Sequence, residues 1–246
     1  MKKYSRYGSV LILLLLWYII AIQMNNEFRM PNPIDVFLRM GEQLALPDFY
    51  SAVGVTLLRS LGGLLIAFLL ALILSISSFY NHVMKEILSP IILLTKSIPN
   101  ISYIIIVLIW FGREISAFII TFLILFPMFY ASFLHGFASI DHKLEKVMAL
   151  YKASRWQEIK QVRLPMLRPY MKGSLSSGVG LAFKVGVMSE ILGQVNYGIG
   201  RELQYCRTGL DMIGIFAWTG WIILLLIILD YVLIKLFERG DYRRLS

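Results

Sequence analysis

Charged residues and cysteines are scarce in this sequence, and each shortage excludes a class of protein. Only 16% of the 246 residues are charged, whereas a soluble domain carries about 25%. The single cysteine, Cys206, excludes an internal disulfide and a metal site built from several thiolates. The three histidines are widely separated in the sequence. We therefore predict no metal site and no cofactor.

Familiar catalytic motifs are missing as well. The apolar segments contain no HExxH, GxSxG or paired-aspartate pattern, and the chain has no GxxxxGK(S/T) loop that would bind a nucleotide phosphate. We predict no catalytic residue, and a process driven by ATP would need a separate ATPase chain. An intramembrane enzyme stays open as an alternative, for which His135 and Ser189 are the residues to mutate.

Hydrophobic residues make up 58% of the chain, in blocks long enough to cross a membrane. The sequence predicts a single all-α domain over residues 1–246, a polytopic membrane helical bundle with about six transmembrane helices. The predicted spans are about 9–22, 53–78, 87–111, 115–137, 174–193 and 212–236. The segment 25–51, between the first two spans, is expected to be a polar connection that contains Pro31, Pro33 and Pro47. The first span resembles a cleaved signal peptide, but no convincing cleavage site follows it, so we expect an uncleaved span.

Lysine and arginine are distributed unevenly between the segments that flank these spans. If the N-terminus is inside, the inner segments carry most of the 24 basic residues and the outer segments carry few. The positive-inside rule therefore predicts that both termini are cytoplasmic. It also explains the formal net charge of +9 without nucleic-acid binding.

A basic, hydrophilic segment at about 138–172 separates the fourth and fifth spans, and we call it the docking loop. One of its helical faces is apolar at positions i, i+3, i+4 and i+7, occupied by Leu144, Val147, Met148 and Tyr151. Ser154 and Gln157 have the spacing of a capping box that begins a second short helix. We expect Leu164-Pro165 to end that helix. Two short amphipathic helices on the cytoplasmic side form a surface that another protein can bind.

Small residues recur every four positions in two spans. They are Gly63, Ala67 and Ala71 in the second span, and Gly178, Ala182 and Gly186 in the fifth. Small residues at such spacing let membrane helices approach closely. Plain helix packing, without any functional role, explains the glycines equally well.

Charged residues within the spans indicate a polar interior. Charge at membrane depth costs about 2.5–3.5 kcal/mol on insertion scales, so such residues normally face the bundle interior. Lys96 and Lys184 either line a solute path that favours anions, or they snorkel to the membrane surface or pair with Glu190 in a structural role. Pro99 either breaks the third helix beside that path or only kinks it. The candidate pathway residues are Lys96, Pro99, Lys184, Ser189 and Glu190.

Several motifs resemble those of a known family. Ala153-Ser154-Arg155-Trp156, followed by Val162-x-Leu164-Pro165, is similar to the cytoplasmic loop of permease subunits in bacterial ABC importers. Other motifs resemble the nitrate/sulfonate/taurine branch of these binding-protein-dependent inner-membrane components. They are Pro31-Asn32-Pro33, Lys96-Ser97-Ile98-Pro99, Trp110-Phe111-Gly112, Phe183-Lys184-Val185, Ser189-Glu190-Ile191-Leu192-Gly193 and Tyr197-Gly198-Ile199-Gly200. The resemblance extends over about residues 30–244.

This resemblance implies a permease subunit of an ATP-driven importer for a small solute, either a nitrate-, sulfonate- or taurine-like anion or a vitamin precursor. It also implies a homodimer (or a pair with a similar permease), two cytoplasmic ABC ATPase subunits, an extracytoplasmic solute-binding protein and a bacterial cytoplasmic membrane. The first helix of the docking loop would be the coupling helix that contacts the ATPase. The implied contact residues are Leu144, Glu145, Lys146, Val147, Met148, Tyr151, Lys152 and Ala153.

The docking loop also departs from the family pattern. Counted back from Leu164-Pro165, the family's Glu falls on Lys146 and its Gly falls on Lys152. A lysine in a left-handed turn costs on the order of 1 kcal/mol, so the turn differs or the cap at Ser154 compensates. The bulky Val147 and Met148 imply a dedicated ATPase with a roomier cleft. A membrane scaffold that recruits partners without transport is the alternative function.

Overall fold

A computed structural model of the chain describes residues 2–24, 26–139 and 154–242, without the side chains of residues 2–7, 10, 96 and 238–242. The regular elements in these ranges are all helical, which confirms the expected all-α membrane bundle. The helices are α1 (Lys2–Met24), α2 (Pro33–Leu44), α3 (Pro47–Tyr80), α4 (His82–Ser97), α5 (Asn100–Phe111), α6 (Arg113–Ala138), α7 (Arg155–Glu158), a π-helical segment (Ile159–Arg163), α8 (Leu164–Gly193), α9 (Ile199–Thr208) and α10 (Met212–Tyr242).

Four helical stretches of the described chain are long and apolar enough to cross a membrane. They are Pro47–Tyr80, Arg113–Ala138, Arg155–Gly193 and Met212–Phe237. The pair α4 and α5 provides a fifth when it is counted as one bent span, and α1 contains a shorter apolar helix, Leu11–Met24. No membrane-crossing helix covers the third predicted span, 87–111, without interruption.

The third predicted span is broken at Pro99. Helices α4 and α5 meet there at 101°. Ile98 is extended, with φ −77° and ψ 130°, because the ring of the following proline disfavours helical geometry in the residue before it. Of the two interpretations of Pro99, the structure therefore shows the break. The proline inside α4, Pro90, does not end that helix.

The centre of the bundle is formed by α3, α6 and α8, whose small residues permit close contact. A Cβ atom at Gly63 would lie 2.6 Å from the carbonyl oxygen of Phe118, and one at Gly178 would lie 2.5 Å from the ring of Phe129. Ala67 and Ala182 are fully buried. These contacts explain the four-residue spacing of small residues, since a larger side chain would push the helices apart.

The predicted stop at Leu164-Pro165 is wrong. The capping box is present: the Ser154 hydroxyl accepts from the Gln157 amide at 3.3 Å, and the Ser154 amide donates to the Gln157 side chain at 3.0 Å. The chain then stays helical to Gly193. The Leu164 amide donates to the Ile159 carbonyl five residues earlier, and Pro165 lies in the first turn of α8, where a missing N–H is tolerated. The preceding helix of the docking loop lies outside the described residues.

Two short helices lie at the end of the bundle opposite the docking loop. The segment 25–51, expected as a polar connection, contains α2, which begins where the Asn32 side chain accepts from the Ile34 amide at 3.0 Å. Pro33 and Asp35 occupy its first turn, where proline and a negative charge are favourable. Helix α9 follows α8 on the same side of the bundle. Both helices lie beside the ends of the long helices that are opposite the docking loop.

Candidate functional site

Helix α8 carries one exposed stripe along an otherwise well-buried surface. Ser177, Lys184, Met188 and Leu192 are exposed at helical spacing, and the half-buried Gly180 lies between the first two. The residues on the neighbouring faces are buried against α3 and α6. Lys184 is therefore an exposed cation on a mostly uncharged face of α8. An exposed stripe of this kind either lines a polar path or is covered by a second protein chain.

A cavity of about 670 Å³ adjoins the half of this stripe that is nearer the docking loop. It is lined by Met128 and Ser132 of α6 and by Pro169, Tyr170, Gly173, Ser174 and Ser177 of α8. The Ser174 hydroxyl donates to that of Ser132 at 2.6 Å. Ser177 belongs to both the cavity and the stripe, and Lys184 lies two helical turns further along α8. Hydroxyl groups and one ammonium group thus follow one another along the helix.

Ser189 and Glu190 do not share this exposed face. They are 1% and 0% exposed, respectively. The Ser189 hydroxyl donates to the Val185 carbonyl at 2.8 Å, within its own helix. Glu190 is bound by other partners than Lys184, so the structure does not form the suggested Lys184–Glu190 pair. In this conformation neither Ser189 nor Glu190 reaches the cavity, and their place in a solute path stays a prediction.

Glu190 forms the centre of a buried polar network. Its carboxylate accepts from the Thr56 hydroxyl at 2.8 Å, from the Gly200 amide at 3.0 Å and from the Arg59 guanidinium at 3.0 Å. Arg59 also pairs with Glu114 and donates to the Tyr197 carbonyl at 2.7 Å. We call these residues the Arg59 network. The network connects α3, α6 and α8 to the loop before α9.

Sequence reasoning missed Thr56, Arg59 and Gly200 as partners of Glu190, and Glu114 as a second partner of Arg59. One signal was available, because Arg59 is a charged residue within a predicted span, as Lys184 is. Opposite charges at similar depth in two spans are expected to pair. Glu114 and Gly200 carry no comparable signal, because each lies near the end of a span, where polar residues are ordinary.

The elbow at Pro99 lies close to the same part of α8. Ile104 and Val107 of α5 pack against Ile120 of α6 and Val185 of α8. Val185 directly follows Lys184, so α5 borders the region of the exposed stripe. Pro99 itself is exposed, and the side chain of Lys96 lies outside the described part of the chain.

At the end of the bundle that bears the docking loop, Arg163 connects this loop to α3. Its guanidinium lies 4.1 Å from the ring centroid of Phe79, near the end of α3, and pairs with Glu158 of α7. The residue is only 4% exposed. A cation placed on an aromatic face and paired with a carboxylate is firmly held. All of the predicted ATPase-contact residues, 144–148 and 151–153, lie outside the described ranges.

Comparison with known proteins agrees with this architecture. The family described as "Binding-protein-dependent transport system inner membrane component" matches residues 63–240. The formylaminopyrimidine transport permease protein of Halalkalibacterium halodurans is 28% identical over 229 residues, which cover 93% of this chain and 90% of that protein. The taurine transport system permease protein of Escherichia coli is 26% identical and covers 80% of this chain and 74% of its own.

A solved structure shows the same fold. The crystal structure of a bacterial ABC transporter involved in the import of the acidic polysaccharide alginate matches with a TM-score of 0.63 and 19% identity. The match covers 100% of this chain and 97% of the other. The resemblance inferred from the motifs is confirmed by the family match and by the taurine relative. This chain belongs to the family of binding-protein-dependent transport system inner membrane components, and it is a permease subunit of an ABC importer.

Proposed function

We propose that two copies of this chain form the path through which an ATP-driven importer moves a small anion or a vitamin precursor across the bacterial cytoplasmic membrane. The observation that carries this proposal is the exposed stripe of α8, on which Lys184 follows a cavity lined by hydroxyl groups. A lysine at this depth costs too much free energy to face lipid without a partner or water. A water-filled path between two chains accounts for its exposure.

The second copy is needed to close the path. Met188 and Leu192, on the same stripe as Lys184, are 44% and 42% exposed, although the other faces of α8 are buried. Ser177 of the stripe also lines the cavity. A second α8, related by a two-fold axis, would cover the apolar part of both stripes and leave the polar parts facing each other.

The solute class follows from charge and from the relatives. An ammonium group in a low-dielectric path attracts anions and repels cations. The named cargo of the Escherichia coli relative, taurine, carries a sulfonate, whereas that of the Halalkalibacterium relative is a formylaminopyrimidine. We therefore take a sulfonate-bearing solute as the first candidate and a pyrimidine precursor as the second.

Energy would come from outside this chain. Family membership implies partner ATPase and solute-binding proteins. We assign the ATPase contact to the docking loop, residues 144–148 and 151–153, with both chain termini in the cytoplasm. Closure of two ATPase subunits would move the docking loop, and the contact of Arg163 with Phe79 would carry that motion into α3. The π-helical segment, which lies between the loop and α8, is a site where a helix can change its hydrogen bonding.

The test is purification of the complex from native membranes, followed by reconstitution. We expect an ABC ATPase and a solute-binding protein to copurify, and ATP-dependent uptake of taurine or of formylaminopyrimidine by the proteoliposomes. Vesicles supplied with a non-hydrolysable ATP analogue serve as the control. Copurification without ATP-dependent uptake of any solute carried by the copurified binding protein would contradict the proposal and support the scaffold alternative.

A further inference from the structure

Another cavity, of about 390 Å³, lies between α4 and α6, away from the stripe of α8. We call it the α4–α6 groove. The side chains that matter here are Lys85, Ser89 and Ile92 of α4 and Ala131, Leu134 and His135 of α6. They recur at intervals of three or four residues, so each helix contributes one face to the groove. The volume is within the range of small-molecule sites.

The polar side chains of the groove lie at the end of the bundle that bears the docking loop. Lys85 is near the start of α4, directly after the end of α3, and His135 is in the last turn of α6. Both side chains are exposed, and so is that of Ser89, one turn beyond Lys85. An ammonium group, a hydroxyl group and an imidazole N–H can all donate to a phosphate group.

The charge of Lys85 is not compensated within the groove. None of the described residues that line the groove is a carboxylate. The neighbouring Glu86 pairs instead with His82, one turn earlier on α4, at 3.3 Å. No carboxylate in the described part of the chain forms an ion pair with Lys85. The groove therefore has a positive potential at its polar end.

The groove becomes apolar with distance from the docking loop. Ile92 is seven residues beyond Lys85, or about 10 Å further along the helix axis. Ala131 of α6 lines the same part of the groove. The Tyr130 hydroxyl in the wall already donates to that of Ser78 at 2.9 Å. A ligand that fits this order of groups has an anionic head and a hydrocarbon chain.

The surface of α4 around the groove is that of a helix in contact with lipid. Among the described side chains of α4, only Leu88 and Ile92 are buried. Ile87, Leu93 and Leu94 are more than half exposed, and all three are apolar. A ligand bound beside this surface shares the environment of the lipid chains, which favours a phospholipid over a water-soluble anion.

We propose that the α4–α6 groove binds one anionic phospholipid. The lipid phosphate accepts from Lys85, Ser89 and His135, and one acyl chain packs against Ile92. The inference rests on the proposed function only for the choice of leaflet, because a cytoplasmic docking loop places the groove in the cytoplasmic leaflet, where anionic lipids are present. The bound lipid supports α4, the helix that leads to the break at Pro99.

The experiment titrates the full-length permease, purified in neutral detergent with its copurifying chains, with phosphatidylglycerol or phosphatidylcholine. Native mass spectrometry counts the bound lipids. We expect one phosphatidylglycerol per permease chain, bound about fivefold or more tightly than phosphatidylcholine, and about fivefold weaker phosphatidylglycerol binding by Lys85→Gln. Lys85→Arg, which keeps the charge, should bind as wild type does. Lys235→Gln is the matched control, because Lys235 is an exposed lysine of α10 that does not line the groove.

Two further arms test the acyl chain and the source of the phosphate. Ala131→Leu, which fills the apolar part of the groove, should weaken phosphatidylglycerol binding although Lys85 is intact, and an unchanged affinity would contradict the place of the chain. Glycerol 3-phosphate should not displace the lipid at equal concentration. Displacement would assign the groove to a water-soluble phosphate, and equal affinities of Lys85→Gln and Lys235→Gln would overturn the site. The titrations need neither ATP nor solute, so their failure leaves the proposed transport function intact.

Discussion

Replacement of Arg59 by alanine tests the buried polar network, and the structure determines how large the effect should be. The Glu190 carboxylate is 0% exposed, and Arg59 is the only cation bonded to it among the described residues. Without Arg59, the carboxylate keeps two neutral donors, the Thr56 hydroxyl and the Gly200 amide. Removal of one partner of a buried ion pair costs about 3–5 kcal/mol, because the other charge stays buried without compensation. We expect Arg59→Ala to destabilise the protein by that amount.

A double variant separates the ion pair from simple loss of packing. Arg59→Ala/Glu190→Gln also removes the buried negative charge, and the amide oxygen that replaces the Glu190 carboxylate can still accept from Thr56 and Gly200. We expect this variant to recover at least about 2 kcal/mol relative to Arg59→Ala, since directly contacting residues are coupled by up to about 3 kcal/mol. Glu114 is half-exposed, so its loss of Arg59 adds little.

The assay is unfolding in detergent micelles, followed by tryptophan fluorescence, with the free energy of unfolding compared among the variants. A loss below about 1 kcal/mol for Arg59→Ala would refute the assignment, since surface ion pairs already reach that value. A double variant no more stable than Arg59→Ala would show that packing, rather than the buried charge, carries the effect.

Two further predictions concern the docking loop and α9. Val147→Asp places a charge in the predicted apolar contact and should release the ATPase, so ATPase copurification with this variant at the wild-type level would contradict the docking assignment. Burial, followed by the Asp211 and Glu202 carboxylates, raises the pKa of the Cys206 thiol to about 11. Because the thiolate reacts, maleimide labelling at pH 7 should be about a hundredfold slower than at an unperturbed thiol and should rise about tenfold per pH unit. Equal labelling rates in folded and unfolded protein would contradict that burial.

Local sequence signals predicted the features that depend on few residues. The capping box at Ser154 needs one side chain three residues away, and the structure contains it. The spacing of Gly63, Ala67 and Ala71 indicated close packing, because small residues at four-residue intervals share one helix face. The family, too, was recognisable from short motifs in the right order.

Features that depend on tertiary contacts could not be predicted in this way. Pro99 fitted both a break and a kink, and only the packing of α5 against α6 and α8 determines which occurs. The helix through Pro165 continues because a π-helical segment precedes the proline, and its sequence carries no signal for i→i−5 hydrogen bonds. Arg59, the cation paired with Glu190, is 131 residues away along the chain, and no local sequence pattern reveals a contact of that range.

The start of α2 shows a different kind of miss. Asn32, Pro33 and Asp35 are ordinary start signals of a helix, but the three prolines of the segment 25–51 favoured an irregular connection. The helix forms because Pro33 lies in its first turn, where no amide is required, and because Val36 and Met40 pack against Ala217 of α10. The position of Pro33 directly after the N-cap Asn32 indicated the helix better than the number of prolines in the segment did.

The most direct measurement for the proposed path is the rate of ATP-driven taurine uptake by proteoliposomes that contain Lys184→Ala. Lys235→Ala is the matched control, since Lys235 is an exposed lysine of α10, away from the stripe of α8. The path predicts at least about tenfold slower taurine uptake for Lys184→Ala, recovery with Lys184→Arg, and wild-type ATPase copurification in all three. Uptake by Lys184→Ala at the rate of the Lys235→Ala control would contradict it.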